Sequence, residues 1–176
     1  FAMYCSMLEK AIAKAQKGQS DELPPPETVM ETHIDAFIDD AYISNGGQKI
    51  EMYQRLATIT DEKELDDLEK ELLDRYGRPT HPVETLLHAT RIRLTGRTLG
   101  LTLIAQKRDT LELKWRSLQD MPPLAGLPTT LRRRFRTVPG IPLMLRVSLA
   151  GAGDILTFLD QIFASISTVR KGNSLG

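Results

Sequence analysis

The sequence predicts an α+β fold: helices, including an α-helical hairpin region at about residues 48–100, packed on a small, mainly antiparallel β-sheet, with a C-terminal helix. Three observations carry this. Apolar residues recur at helical spacing through residues 48–100, the period changes to two between Leu101 and Leu149, and a last helical stripe runs from Ile155 to Val169.

Residues 1–17 place Met3, Cys5, Met7, Leu8, Ala11, Ile12 and Ala15 at mostly helical spacing, and Gly18 ends the pattern. Residues 18–27, GQSDELPPPE, are acidic and proline-rich and read as a linker. In THIDAFI, residues 32–38, Ile34, Ala36 and Ile38 alternate with His33, Asp35 and Phe37, the pattern of a strand. Asn45-Gly46-Gly47 reads as a turn before a helix over 48–59 that buries Met52, Tyr53, Leu56 and Ile59. Thr60 or Asp61 caps a second helix, with Asp61 and Glu64 forming a capping box. Leu65, Leu68, Leu72 and Tyr76 make one apolar stripe, stopped by Gly77 and Pro79.

A third helix starts at Pro82 and runs to Gly100. Leu101/Leu103/Ala105 and Leu111/Leu113/Trp115 then alternate across Arg108-Asp109 as a hairpin. TTLRRRF, residues 129–135, reads as a short basic helix, and Leu143/Leu145/Val147/Leu149 as a third strand after the Pro139-Gly140 turn. The closing helix carries Ile155, Leu159, Ile162, Phe163, Ile166 and Val169.

Lys and Arg number 23 against 23 Asp and Glu, for a formal net charge of +0. The zero is a sum of opposites. Residues 21–76 hold 16 acids and 5 bases, residues 77–176 hold 6 acids and 15 bases. Halves charged so differently suit a charged partner or each other. A single cysteine, Cys5, permits no internal disulfide and no cysteine metal cluster, which points to a reducing cytoplasm. No apolar run approaches the ~18–20 residues of a membrane span. The N-terminus carries Glu9, Lys10 and Lys14 without a cleavage signature, so it does not read as a signal peptide. The chain starts inside a helical pattern and is expected to be a fragment of something longer.

Little in the sequence offers chemistry. SNGGQKI, residues 44–50, is the nearest approach to a phosphate loop, but its glycines are adjacent and Ile50 follows the lysine, so a turn is the better reading. His81, Glu84 and His88 fall at i, i+3 and i+7 and could be drawn as a metal half-site. His81 precedes the proline and is placed outside the helix, and His33 is the only other histidine, so exposed helix-face residues are expected instead. Cys5 has no neighbouring base and reads as a buried thiol. No catalytic, cofactor or metal site is expected, and the chain does not read as an enzyme in itself.

Two charged surfaces remain. Glu64, Asp67, Glu71 and Asp74 repeat at i, i+3, i+7 and i+10, opposite the apolar stripe, as a solvated face or a docking face for a basic surface. Arg132, Arg133, Arg134 and Arg136 crowd one segment, while Arg91, Arg93 and Arg97 belong to the third helix. Counterion release could give such a patch affinity for nucleic acid. Phe135 is the only aromatic interleaved there, and a solvated or protein-docking face is the rival.

FAMYCSMLEKAI, DAFIDDAYI, IEMYQRLA, ELLDRYGRPTHPVETLL and RIRLTGRTLG occur in this order. Together they resemble the C-terminal end of the bacterial transcription-repair coupling factor family, including its final TRCF domain, over about residues 1–105. ELLDRYG…PV is the most specific piece. The family pattern often has proline where Asp39 and Arg78 stand.

The resemblance implies a non-catalytic piece of a large cytoplasmic ATP-dependent DNA translocase that displaces stalled RNA polymerase and recruits UvrA for nucleotide excision repair. ATP and Mg would belong to motors upstream, with no cofactor here. Residues 1–17 would be the tail of the translocase module, 18–27 a linker, 28–170 the regulatory TRCF domain and 171–176 a flexible tail. That domain would dock on the UvrB-like N-terminal module of the same protein and mask its UvrA-binding surface. Glu71 and Asp74 of the E-L-L-D motif would make the contact, with Asp67 and Glu64 supporting. RNA polymerase and DNA would be reached through the full-length protein, and no membrane is implied. The alternative reading is a nucleic-acid-binding accessory module using residues 132–136.

Overall fold

In the computed structural model, which describes residues 27–174, Asn45 caps a helix instead of making a turn. Its side chain accepts from the Gln48 N–H at 3.0 Å, and α1 runs Gly46–Thr58. The Asn-Gly-Gly run is therefore a helix start, with the cap satisfying one of the amides the first turn leaves unpaired. Met52 and Leu56 are buried, Tyr53 is half-buried, and Ile59 is buried just past the last turn. The features expected at 1–17 and over most of 18–27 lie outside the described residues.

Asp61 caps α2, Glu62–Tyr76, accepting from the Glu64 N–H at 2.9 Å. The Glu64 carboxylate reaches back to the Thr60 N–H, also at 2.9 Å, so the expected capping box is closed one residue earlier than its standard form. Leu65, Leu68 and Leu72 are buried and Tyr76 is half-buried, as their spacing predicts. Gly77 at φ 79 ends the helix, its N–H donating to the Leu73 carbonyl. The Tyr42 hydroxyl then lies 3.0 Å from the carbonyls of both Leu72 and Gly77, its one proton shared between them, which fixes that terminus. Burial, and then Tyr76, raise the Tyr42 phenol above its ordinary range. Next comes α3, His81–Thr98, which begins one residue before Pro82 and so includes His81.

Residues 32–38 form no strand. The alternation is real as burial, with Ala36 and Ile38 buried and His33, Asp35 and Phe37 exposed. Here, however, the Ala36 N–H donates to the Ile34 carbonyl and the Ile38 N–H to the Tyr53 hydroxyl at 2.7 Å. Alternating burial needs only an extended chain, whereas a strand needs a neighbour. The paired stretch is just upstream, at β1, Val29–Glu31.

The chain divides into two compact units, one of residues 32–94 and one joining β1 to the chain from residue 95 onward. The first is helical, with a core that includes Met52, Leu56, Leu65, Leu68, Leu72 and Leu86. The second holds a five-stranded sheet in the order β1-β2-β3-β5-β4, with β2 at Leu101–Lys107, β3 at Thr110–Trp115, β4 at Phe135–Val138 and β5 at Ile141–Ser148. β1 runs parallel to β2 and every other pair is antiparallel. The α+β class and the mainly antiparallel sheet are as expected. Residues 32–94 carry 13 acids and 8 bases, while 27–31 with 95–174 carry 7 acids and 12 bases, so the opposite charges fall on different units.

Three details differ from the sequence expectation. The register shifts between Leu101 and Leu103, so Ile104 pairs with Leu113 and is buried, Leu103 is only half-buried, and Ala105 is buried as well, on the face opposite Ile104. A one-residue irregularity moves every following side chain to the other face. TTLRRRF contains only a four-residue helix, α4, Thr129–Arg132. The chain turns at Arg133-Arg134 into β4, because Phe135 is drawn into the core opposite Val147. Last, α5 spans Ile155–Asn173 and runs into the segment expected as a flexible tail at 171–176. Asp154 caps it through the Thr157 N–H, and Ile155, Leu159, Ile162, Phe163 and Ile166 are buried.

The last turn of α5 is tied down. Arg170 donates to the Leu99 carbonyl at 2.7 Å and to the Asp120 carbonyl. Asp120 also takes two 3.1 Å hydrogen bonds from Arg116 and one of 2.8 Å from the Ser117 hydroxyl. Those donors, Arg116 foremost, hold its carboxyl below the usual range. Gly100 lies against this cluster at φ 78, and a Cβ there would come within 2.5 Å of the Asp120 carboxyl carbon. No helix among the described residues is long and apolar enough to cross a membrane.

Candidate functional site

The carboxylates of α2 flank the Leu65/Leu68/Leu72 stripe on both sides. Glu64, Asp67, Glu71 and Asp74 share one flank, Asp66 and Glu69 the other. Each flank meets an arginine. On the first, the Glu71 carboxylate accepts both arms of the Arg55 guanidinium from α1, at 2.7 and 2.6 Å. Arg75, one turn along α2, adds a third hydrogen bond at 3.0 Å. The Arg55 bonds first, and the one from Arg75 next, hold the Glu71 carboxyl at about 2. On the second flank, Arg91 of α3 donates to Asp66 at 2.8 Å and to Glu69 at 3.0 Å.

Glu71 is therefore engaged within its own unit. Asp74 is exposed and makes no ion pair among the described residues, Asp67 lies 3.8 Å from Lys70, and Glu64 serves the cap. The outward charges of this flank are Asp74 and Asp67. Sequence reasoning named the stripe but missed Arg55, whose only local signal is an arginine in the last turn of the preceding helix.

The arginines grouped on the third helix do not form a patch. Arg91 is spent on α2, and Arg93 is buried at 7% exposure with a bond to the Leu56 carbonyl at 3.2 Å. Beside Arg91, a cavity of about 390 Å³ is lined by Glu69, Leu73, Pro79, Glu84, Leu87 and His88. Among the described residues no group of His, Cys, Asp or Glu has the geometry to hold a metal ion.

The basic segment separates into two kinds of residue. Arg132 and Arg133 are exposed. Arg134 turns inward: Nη1 donates to the carbonyls of Ser148 at 3.1 Å and Ala150 at 2.6 Å, and its guanidinium lies 5.3 Å from the Phe158 ring centroid. Arg136 bends back along β4, donating to the carbonyls of Arg133 and Phe135 at 2.8 Å each.

A family model described as the TRCF domain matches residues 32–125. The chain belongs to that family. Transcription-repair-coupling factors of Staphylococcus haemolyticus and Bacillus subtilis are 34% and 33% identical over 113 residues, 64% of this chain. That of Myxococcus xanthus is 29% identical over 95% of this chain. The chain spans only 10%, 10% and 14% of these relatives. A crystal structure of the C-terminal domain of transcription-repair coupling factor shares the fold, with a TM-score of 0.66 over 85% of this chain and 96% of that one, at 17% identity. The TRCF match takes in α1, α2, α3 and the β2–β3 hairpin and stops before α4. The acidic helix lies inside the TRCF match, the basic segment outside it.

Proposed function

We propose that this chain is the C-terminal regulatory end of a transcription-repair coupling factor, docking on the UvrB-like N-terminal module of the same protein and masking its UvrA-binding surface. The observation that carries the reading is an acidic helix flank, Glu64, Asp67, Glu71 and Asp74, inside the TRCF match. Its parent would be a bacterial cytoplasmic ATP-dependent DNA translocase acting on stalled RNA polymerase, with ATP and Mg bound upstream. Residues 1–17 and 18–27 would be the translocase tail and linker, and the regulatory part would begin at residue 28.

Charge and geometry sort the roles. Asp74 and Asp67 are the outward contacts for a basic partner surface. Glu71 supports them by holding Arg55 and Arg75. A contact made of exposed ion pairs, each about 0–1 kcal/mol, opens readily. Several together reach about 1–3 kcal/mol, enough to mask UvrA binding roughly 5–150-fold.

The test is the pair Asp67→Asn and Asp74→Asn in the full-length protein. UvrA affinity rises within that range while the chain keeps its thermal midpoint. Unchanged UvrA affinity defeats the reading. The alternative, a nucleic-acid module at 132–136, retains Arg132 and Arg133 as its outward cations, since Arg134 and Arg136 are bonded to backbone carbonyls.

A further inference from the structure

We propose that the pocket beside Arg134 receives a single acidic side chain from a partner protein. This surface belongs to the sheet-bearing unit and is independent of the acidic flank of α2. The cavity, about 300 Å³, is lined by Thr130, Leu131, Arg134, Phe158, Gln161 and Ser165, with Gly151-Ala152 at one side. That volume holds one side chain and not a folded surface.

Arg134 supplies the recognition. Its Nη1 is fixed by the Ser148 and Ala150 carbonyls and its face rests on Phe158, so the guanidinium has one orientation. The guanidinium carries five N–H donors, and those on Nε and Nη2 make no hydrogen bond among the described residues. Two forked donors held in place match a carboxylate and confer geometric selectivity. Thr130, Gln161 and Ser165 add hydroxyl and amide groups around it. Among the described residues none of Arg132, Arg133, Arg134 and Arg136 makes an ion pair, so the segment that brings Arg134 to the pocket is positive without an ion-paired counterion.

An acidic protein segment fits better than nucleic acid. Phe158 is covered by Arg134 and 4% exposed, and Phe135 and Phe163 are buried, so the surface offers no platform for base stacking. Nor does the partner add as a strand to β4. The Ser148 N–H donates to the Arg134 carbonyl, and alternation then turns the Phe135 backbone to the free edge. The Phe135 carbonyl is already taken by Arg136. The strand edge is thus partly occupied, whereas the forked donors of Arg134 are open to a side chain that enters the pocket.

The test titrates the isotopically labelled 176-residue chain with acetylated tetraglutamate amide and follows backbone amide resonances. Shifts centre on Thr130, Leu131, Gln161 and Ser165, and the tetraglutamine analogue produces none. Arg134→Gln abolishes the response, and because that change also removes the carbonyl bonds, Gln161→Glu serves as the second variant. It places a carboxylate at the pocket and leaves the Arg134 bonds intact, so affinity for the peptide falls about tenfold. The proposal is overturned if Gln161→Glu leaves the affinity unchanged, or if oligothymidylate of equal charge binds more tightly than the peptide at the same salt.

Discussion

Arg55 and Glu71 meet across the α1–α2 contact through two parallel hydrogen bonds of 2.7 and 2.6 Å. The fork of the guanidinium matches the carboxylate, so the pair fixes the rotation of α2 about its axis as well as its distance from α1. From the opposite side Nη2 of Arg91 donates to two carboxylates one turn apart, Asp66 and Glu69. An acidic helix is thereby held between two cationic neighbours.

Replacing Arg55 tests the geometry. Both side chains are more than a third exposed, at 39% and 34%, so the loss is modest: Arg55→Ala lowers stability by about 1 kcal/mol. Arg55→Lys restores the charge but not the fork, and recovers less than half of it. Urea denaturation of the three chains reads the order.

Acid reads the same contact differently. The Glu71 carboxyl is held at about 2, below its ordinary 4.5, so the folded state binds fewer protons than the unfolded one. Its contribution is complete above about pH 4.5 and is lost as the pH falls toward 2. A Glu71→Gln variant shows a shallower fall of the urea midpoint across that window. Equal slopes for the two chains contradict the assignment.

Adjacent leucines of α2 have opposite fates. Leu72 is 3% exposed and Leu73 is 56% exposed. Leu72→Ala costs about 2–5 kcal/mol through the cavity it leaves, while Leu73→Ser stays within about 0.5 kcal/mol of the parent. Thermal midpoints of the two variants measure the helix orientation directly.

Gly100 and Gly140 share a positive φ, 78 and 77, but not the same surroundings. Gly140→Ala meets nothing within 4 Å and costs about 1–2 kcal/mol for the backbone alone. Gly100→Ala drives its Cβ into Asp120 and costs more, about 2–4 kcal/mol. The single tryptophan, Trp115, is fully buried in the sheet-bearing unit, so its fluorescence follows both unfolding transitions.

The helices were legible because their signals are local: the Asp61 cap, the Leu65/Leu68/Leu72 stripe and the Gly77 stop sit within one segment. The sheet was less so. Alternation in residues 32–38 reports which side chains are buried and says nothing about a hydrogen-bonded neighbour. β4 was hidden because three arginines precede its one buried aromatic, Phe135. The acidic flank was found and its state was not. Spacing tells which carboxylates share a side of α2, but Arg55 reaches Glu71 from another helix, and only the packing of α1 reveals that.

The Arg170 contacts also impose an order on biosynthesis. Residues 32–94 are complete as a unit while the rest of the chain is still being made. β1, synthesised before them, waits without its partner until β2 emerges, and the Leu99 and Asp120 carbonyls wait for a guanidinium 71 and 50 residues downstream. At about 5–20 residues per second, the helical half has seconds to mature while its sheet-bearing companion is still an open chain. Ribosome-bound intermediates of this stretch are thus expected to be acidic and folded over residues 32–94, basic and unfinished from residue 95 onward.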